Sequence, residues 1–393
     1  MLRLPYHIYM KNNKALFTIF LIVFVDLLGF GIVLPLLPYI AEKYQATPLT
    51  IGILGATYSF FQLISGPILG RLSDRYGRKK LLAISQIGSA IGYLILGLAH
   101  NLPLLFLARI IDGITGGNIS IAQAYIADVT TKENRAKGMG VIGAAFGLGF
   151  IFGPAIGGFL AKYSYSYPGY FAMVVSLITV ALTLFTLPET VSSKERAHEP
   201  KAQVTFQEFW KVASASNIQY LIIVFFMMNS AFSMMQGTFA LWTQRRFNFG
   251  PEQNGYVFAF VGVLAVIAQL KLLPFLIKRF KERFLLNYST FFFVIGFILM
   301  PFVPNPWFLM VTQAFIVFGN SMANPSIQAL ASERVPKEEY GETLGFLQSA
   351  GSLGRIVGPI FGGWLFGALG INSPFLFSAF VMLIIFFYLQ KKK

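Results

Sequence analysis

Twelve long apolar stretches, separated by short polar segments, dominate the pattern of hydrophobic and polar residues along this chain. Each stretch is close to the roughly 20 residues that an α-helix needs to cross the hydrocarbon core of a bilayer. The pattern therefore predicts an all-α integral membrane protein with twelve transmembrane helices. The predicted spans are residues 16–40, 50–69, 81–99, 102–127, 136–162, 168–187, 218–242, 253–277, 284–303, 306–330, 344–369 and 373–389.

Composition supports a membrane protein and excludes several other classes. Of the 393 residues, 55% are hydrophobic and only 12% are charged, whereas soluble domains carry about 25% charged residues. The net charge of +15 would suit a nucleic-acid partner. The cations lie in the short loops of an apolar chain, however, so we expect no nucleic acid. Because the chain has no cysteine, disulfides, thiolate metal sites and cysteine catalysis are excluded, and we expect no metal and no cofactor.

The distribution of the cations predicts the orientation in the membrane. Most of the 31 lysines and arginines fall in alternate polar segments, starting with the N-terminal one. Cytoplasmic loops of membrane proteins are the ones enriched in lysine and arginine. The alternation therefore predicts a multi-pass protein of the cell membrane with both termini in the cytoplasm.

The longest polar segment divides the chain into two halves. We predict a cytoplasmic N-terminus at residues 1–15, a six-helix bundle at 16–188, a cytoplasmic linker at 189–216, a second six-helix bundle at 217–389 and a basic tail at 390–393. Phe206, Phe209 and Trp210 recur at helical spacing late in the linker, which is typical of a short interfacial helix. A linker without regular structure is the alternative interpretation.

The two halves repeat each other. Residues 133–140 match residues 338–345, and the same offset aligns two clusters of small residues. Glycines four residues apart let two membrane helices pack backbone to backbone, so we expect a helix contact at each cluster. The clusters comprise Gly149, Gly153, Pro154, Gly157 and Gly158 in the first half, and Gly358, Pro359 and Gly362 in the second.

A basic segment joins the second and third spans. Residues 70–80 contain five cations, one carboxylate and two glycines. Arginine and lysine each cost about 2.5–3.5 kcal/mol at the centre of a bilayer, so this segment must lie outside it. We therefore predict two membrane helices joined by a basic cytoplasmic turn.

The order of residues in this segment resembles a family signature. Gly70, Leu72, Asp74, Arg75, Gly77, Arg78 and Lys79 follow the pattern found between helices two and three of the major facilitator superfamily. The stretches 124–128 (Ala-Tyr-Ile-Ala-Asp) and 240–242 (Ala-Leu-Trp) resemble the twelve-helix drug/proton antiporters, particularly the tetracycline-efflux group. Tetracycline exporters carry an aspartate beside a tyrosine in helix three, and here Gly92 precedes Tyr93.

The resemblance implies an arrangement of two pseudo-symmetric bundles that hold the substrate between them at the middle of the bilayer. It also implies a cytoplasmic gate that comprises Gly70, Asp74, Arg75, Gly77, Arg78 and Asp128. In that gate Asp74 would lie against the start of helix eleven, and Arg78 near Asp128 at the acidic end of helix four.

Two carboxylates lie deep within predicted spans and are candidates for proton coupling. Asp26 is in the first span, where a carboxylate needs a cation, a proton or water. Arg109 and Asp112 are three residues apart in the fourth span and so share a helix face. The resemblance implies a role for Arg109 in proton transfer. Since arginine does not readily lose its proton, that role must be to bias nearby carboxylates toward ionisation.

Structural roles are the alternatives for these three residues. Asp26 could be pinned to a cation, and Arg109 with Asp112 could form a static pair that only fixes helix packing.

Polar side chains form stripes on several other spans. In the implied fold, helices one, four, seven and ten line the cavity, and we predict a substrate cavity from these stripes. Polar residues that only hold helices together are the alternative. The predicted cavity residues are Gln62, Asn229, Gln236, Asn320, Asn324, Gln348 and Arg355.

The sequence thus predicts a proton-coupled secondary transporter that exports small amphipathic or drug-like molecules. Its expected partners are a small-molecule substrate, protons and the lipid bilayer, and we expect a monomer. A symporter or facilitator for an anionic solute held by Arg109 and Arg355 is the alternative. A receptor is disfavoured because the loops and termini are too short for a signalling domain. An enzyme is not expected, because the three histidines lie outside the spans and no embedded nucleophile and base occur together.

Overall fold

The computed structural model describes residues 6–131, 134–190, 216–336 and 340–391, and all regular structure in these ranges is helical. The predicted interfacial helix around 206–210, most of the linker and the end of the basic tail lie outside the described residues. The α-helices are α1 (Tyr6–Lys43), α2 (Pro48–Tyr76), α3 (Arg78–Leu98), α4 (Leu102–Thr115), α5 (Asn118–Val129), α6 (Arg135–Ala161), α7 (Tyr167–Thr186), α8 (Ser216–Phe247), α9 (Pro251–Ile267), α10 (Leu273–Ile277), α11 (Glu282–Leu299), α12 (Pro306–Ser332), α13 (Tyr340–Leu369) and α14 (Ser373–Lys391).

Each predicted span corresponds to helical structure. Among the described residues, eleven stretches are long and apolar enough to cross a membrane. The tenth predicted span, α12, has 27 residues but is not among the eleven. Gln313, Asn320 and Asn324 lower its mean hydropathy, and two of these are the polar positions predicted for the cavity.

The predicted basic turn at residues 70–80 is wrong in its extent. Helix α2 continues to Tyr76 and α3 begins at Arg78, so only Gly77 separates them. Arginine and lysine are good helix formers, which lets both helices continue past the apolar core. Gly77 has φ 104°, a conformation that glycine adopts at no steric cost and that reverses the chain in a single residue.

Two spans are less regular than predicted. The fourth is divided, because α4 ends before Gly116 and α5 begins after Gly117. Each glycine is about 1 kcal/mol less favourable in a helix than alanine, so two in succession favour a break. In the eighth span a π-helical turn, Ala268–Leu272, separates α9 from α10, just before Pro274. Proline lacks the N–H that a regular helix would use there.

Contacts divide the chain into two units. The first comprises Met1–Leu36 and Phe60–Lys201. Within it α3 packs against α4 and α7. A buried apolar cluster that includes Ile22, Leu82 and Tyr125 joins α1, α3 and α5.

The second unit comprises Leu37–Ser59 and Ala202–Lys393. Within it α8 packs along α13 and α11 packs along α12. The end of α1 belongs to this unit: the Tyr39 hydroxyl donates to the carbonyl oxygen of Phe249 at 2.9 Å and accepts a hydrogen bond from Asn254 Nδ2.

The repeated glycines occupy equivalent contacts in the two units. In the first, Gly149, Gly153 and Gly157 on α6 face α1, and a Cβ on Gly153 would lie 2.6 Å from the Leu28 carbonyl oxygen. In the second, Gly354, Gly358 and Gly362 on α13 face α8. A Cβ on Gly358 would meet the Ser230 carbonyl oxygen even more closely. Each unit thus packs its fifth span against its first, backbone to backbone.

Pro154 and Gly158 lie in α6 and are buried. Pro359 lies in α13, where its ring atoms would meet a Cβ built on Gly237. A Cβ built on Gly31 of α1 would lie 3.1 Å from Pro154 Cδ, so both prolines also lie at these helix contacts.

We expect Gly153→Ala and Gly358→Ala to destabilise the protein relative to Gly143→Ala and Gly345→Ala. All four alanines gain helix propensity, but a Cβ on Gly143 or Gly345 meets nothing within 4 Å. The difference between the two pairs therefore isolates the clash, which should cost about 1–3 kcal/mol. Heating the purified protein and following its monodisperse fraction measures the effect. Equal melting midpoints for all four variants would contradict it.

Candidate functional site

At the break between α4 and α5 the Gly113 and Thr115 carbonyl oxygens accept hydrogen bonds from the backbone N–H groups of Gly116 and Gly117 instead of regular helical donors, and side chains of α2 and α3 add further hydrogen bonds. Ser65 Oγ donates to the Gly113 carbonyl oxygen at 2.9 Å, and Gln62 Nε2 donates to that of Gly116 at 3.0 Å. The Ser85 hydroxyl donates to the carbonyl oxygen of Thr115. Irregular backbone is tolerated at membrane depth only where protein or water satisfies it. Gln62, predicted to line the cavity, therefore has a backbone partner at this break.

A buried ion pair lies on α4, one turn before the break. Arg109 Nη1 is 3.0 Å from Asp112 Oδ2, and the two residues are only 4% and 3% exposed. Gly92 on α3 leaves room for this pair, since a Cβ there would lie 3.0 Å from the Cβ of Asp112. Removing either partner alone would leave a buried charge uncompensated, which typically costs 3–5 kcal/mol.

The second deep carboxylate, Asp26, is held by a residue that the sequence did not single out. Asn118 is the first residue of α5, and its Nδ2 donates to Asp26 Oδ1 at 2.8 Å. Asn118 is almost fully buried, whereas Asp26 on α1 is half-buried. Asp26 and Asp112 also interact electrostatically. The structure thus brings Asp26, Arg109 and Asp112 into one cluster around the break.

A second charged cluster surrounds Gly77. Arg78 is 7% exposed, and its guanidinium contacts three partners. It forms an ion pair with Asp74, lies 3.1 Å from Asp128 Oδ2 and donates to Ser73 Oγ at 2.6 Å. The contact with Asp128, at the end of α5, is the one that the family resemblance implies. Asp74 remains 63% exposed in its side chain.

Glu189 is a further member of this cluster. Its Oε1 accepts a hydrogen bond from the backbone N–H of Arg78 at 2.8 Å, so that it caps the start of α3. A carboxylate at a helix N-terminus is stabilised by about 0.3–1 kcal/mol. Its position after α7 carries no local sign of this contact, which is why the sequence did not indicate it. Gly70 and Arg75 lie on the outer side of α2, where a Cβ on Gly70 meets nothing within 4 Å and Arg75 stacks over Tyr76.

The predicted cavity residues of the second unit contact neighbours on their own helices. Asn324 Nδ2 reaches Asn320 Oδ1 at 3.4 Å, and Arg355 Nη2 donates to Ser352 Oγ at 2.7 Å. Asn229 Nδ2 donates to the Phe225 carbonyl oxygen, one turn earlier. Gln236 is half-buried and Gln348 is exposed. A shared role of these residues in a cavity stays a prediction.

Comparison with known proteins places this arrangement in a family context. A family model described as the Major Facilitator Superfamily matches residues 19–303 and 272–393. Multidrug resistance protein 2 of Bacillus subtilis (strain 168) is 31% identical over 379 residues, which cover 95% of this chain and 94% of that protein. Tetracycline resistance protein, class C, of Escherichia coli is 30% identical over 354 residues, which cover 89% of each.

A solved structure shows the same fold. The crystal structure of the human organic anion transporter MFSD10 (TETRAN) matches with a TM-score of 0.74 over 96% of this chain and 99% of that chain. Its sequence identity is 23%, so the likeness concerns the fold alone. The predicted all-α membrane fold and the predicted family are both confirmed.

Proposed function

The chain belongs to the Major Facilitator Superfamily, and from that premise we propose that it exports small amphipathic or drug-like molecules in exchange for protons. It is a transporter and not an enzyme. Relatives that it matches over nearly their whole length are named for multidrug and tetracycline resistance. Inward proton flow supplies about 2.3 kcal/mol for each 100 mV of membrane potential.

The observation that carries this proposal is the cluster of Asp26, Arg109 and Asp112 beside the helix break. Arg109 stays protonated and already compensates the charge of Asp112 at 3.0 Å. Asp26 has an amide as its hydrogen-bond donor instead. An ionised carboxylate with only neutral donors is the costlier of the two to keep within the membrane. Asp26 is therefore the leading proton carrier, and Arg109 with Asp112 sets the field around it.

The anionic-solute alternative depends on Arg109 and Arg355 as binding cations. Arg109 is engaged by Asp112, and both are buried. An anionic substrate would have to displace that carboxylate from the guanidinium. This observation favours proton exchange over anion binding at Arg109.

Further parts of the proposal concern substrate contact and orientation. Substrate contact is assigned to Asn229, Gln236, Asn320, Asn324, Gln348 and Arg355, and Gln62 is assigned to support of the helix break between α4 and α5. The termini lie in the cytoplasm, and the protein works as a monomer in the cell membrane. Alternating access exposes the substrate site first to one side of the membrane and then to the other.

The cluster around Gly77 acts as a cytoplasmic gate. Arg78 bridges Asp74 and Asp128, so it ties the α2–α3 junction to the end of α5. Asp74 retains enough exposure to take part in a further contact when the cytoplasmic side closes. A difference of a few kcal/mol suffices to change which of two conformations dominates.

We expect Asp26→Asn to abolish proton-driven uphill transport in vesicles while leaving folding and substrate binding largely intact, because asparagine cannot exchange a proton. Glu252→Gln, which neutralises a carboxylate bonded to the Tyr256 hydroxyl at the start of α9, serves as the control. Uphill transport by Asp26→Asn vesicles at the parent rate would rule out Asp26 as the carrier.

We expect Arg109→Lys to shift the pH optimum of transport and Arg109→Ala to be inactive. Lysine keeps the positive charge but lacks the planar guanidinium group with its several N–H donors. The double variant Arg109→Ala/Asp112→Ala separates the two interpretations of the pair, since it removes both buried charges. If transport and its pH profile recover in the double variant, the pair is only structural.

We expect Asp74→Asn to favour the inward-facing state and slow turnover without changing substrate preference. Labelling of cysteines introduced at the cytoplasmic and outer mouths measures this, and the natural chain contains none to interfere. The cytoplasmic position should label several-fold faster in Asp74→Asn. Lys80→Gln, which alters an exposed cation of the same basic segment outside the gate residues, is the control. Identical labelling of both mouths in the parent and Asp74→Asn would leave the gate unsupported.

A further inference from the structure

Asn118 has an unusual hydrogen-bond balance for a buried residue. Its Nδ2 donates to Asp26 Oδ1, but its Oδ1 is buried without a hydrogen-bond partner among the described residues. The residue as a whole is 1% exposed. Buried acceptors that lack a partner are rare and need an explanation. A purely structural asparagine at this position would be expected to use both ends of its amide.

Asn118 Oδ1 would gain a hydrogen-bond donor if Asp26 became protonated. An ionised carboxylate only accepts hydrogen bonds, whereas a protonated one also donates through its O–H. An asparagine amide carries both a donor and an acceptor. By turning about its terminal bond, Asn118 can donate from Nδ2 to the ionised Asp26 or accept at Oδ1 from the protonated Asp26. The step adds one proton to an oxygen of Asp26 and makes or breaks no other covalent bond.

Charged and titratable groups from neighbouring helices also face Asp26. Asp112 on α4 repels the Asp26 charge, and Arg109 is paired with Asp112. The Tyr93 hydroxyl on α3 lies against Gly29, which is three residues after Asp26 and on the same side of α1. The α6 residues that meet α1 here include glycines, which carry no titratable group. Asn118 donates directly to the Asp26 carboxylate.

Helix α5 connects this asparagine to the cytoplasmic gate. It starts at Asn118, just after the break, and its last turn carries Asp128, which lies 3.1 Å from Arg78. Its 12 residues span about 18 Å at 1.5 Å per residue. The break interrupts regular helical hydrogen bonding between α5 and the helix α4 that carries the Arg109–Asp112 pair.

We propose that Asn118 is a positioning residue that senses the protonation of Asp26 and that α5 passes this change to the Arg78–Asp128 contact of the gate. The proposal rests on Asp26 being the proton carrier of the proposed function. It assigns α5 a role that neither the spacing of the motifs nor the family resemblance contains: a single helix with the proton site at one end and the gate at the other.

The test uses Asn118→Leu, which keeps the branched shape but has no donor or acceptor. Hydrogen bonds to charged groups are stronger than those to neutral ones, so this change should disfavour the ionised carboxylate more than the protonated one. We expect the pH midpoint of substrate-induced proton release to rise by about half a pH unit or more. Ser120→Ala, an exposed position on the same helix, should leave the midpoint in place.

A second measurement follows the gate end of α5. Thr131→Cys places a thiol at an exposed position just beyond α5 in the otherwise cysteine-free chain. Its labelling rate by a maleimide should change with pH differently in the parent and in Asn118→Leu, and comparing the two at each pH cancels the ionisation of the thiol. We expect a difference of several-fold near the midpoint and none at the pH extremes.

The outcomes separate this inference from the proposed function. If the parent shows no substrate-induced proton release, the proposed function fails. If the parent releases protons and Asn118→Leu, folded by its melting midpoint, keeps both the parent midpoint and the parent labelling, Asn118 is structural and the inference is overturned. Should Asn118→Leu not fold, Asn118→Ala carries the test, because alanine is smaller and has neither a side-chain donor nor an acceptor for Asp26. A parent midpoint in that variant overturns the inference equally.

Discussion

The need to satisfy every backbone carbonyl at membrane depth is the constraint on which the functional cluster depends. A bilayer offers no water to a broken helix, so the break at Gly116 and Gly117 requires donors from the protein. Ser65, Gln62 and Ser85 supply side-chain donors, and the N–H groups of Gly116 and Gly117 supply backbone donors. Helix α5 then begins at Asn118, whose side chain reaches Asp26 on α1. The hydrogen bond between Asn118 and Asp26 follows from that geometry.

Close helix packing supplies the rigid frame around this break. The glycines of α6 allow its backbone to lie directly against α1, and Gly92 on α3 admits the Arg109–Asp112 pair beside α4. A Cβ at Gly92 or at the α6 glycines that face α1 would come within about 3 Å of the neighbouring helix, so the close-packed helices would have to move apart to admit it. The small residues thus allow the helices that carry the charged residues to approach closely. Gly92 lies against Asp112, and the α6 glycines lie against α1, which carries Asp26. In the second unit α13 packs on α8 through glycines in the same way as α6 packs on α1. The described part of α8 contains no aspartate or glutamate.

Much of the architecture could be predicted from the sequence because it depends on local periodicity. The apolar runs predicted the spans, and the three-residue spacing of Arg109 and Asp112 predicted their shared face, where they form an ion pair. The divided fourth span was missed, although Gly116 and Gly117 were a local signal for it. Asn118 and Glu189 could not have been found this way, since their partners are 92 and 111 residues distant in sequence. The turn at 70–80 was overestimated because charge marks where a membrane ends, not where a helix ends.

The cluster around Arg78 and the cluster of Asp26, Arg109 and Asp112 differ in burial and pairing, and the difference suits the roles of gate and proton site proposed for them. Around Arg78 a single guanidinium is shared among Asp74, Asp128 and Ser73, and the exposed partner Asp74 can leave while the other two contacts remain. Arg109 and Asp112 are buried together, and separating them would be expensive, which makes that pair a fixed reference. Asp26 stands between these extremes, half-buried and held by a neutral amide. For the proposed proton carrier this setting combines enough burial for its charge to matter with a neutral donor, so that no paired cation keeps it ionised.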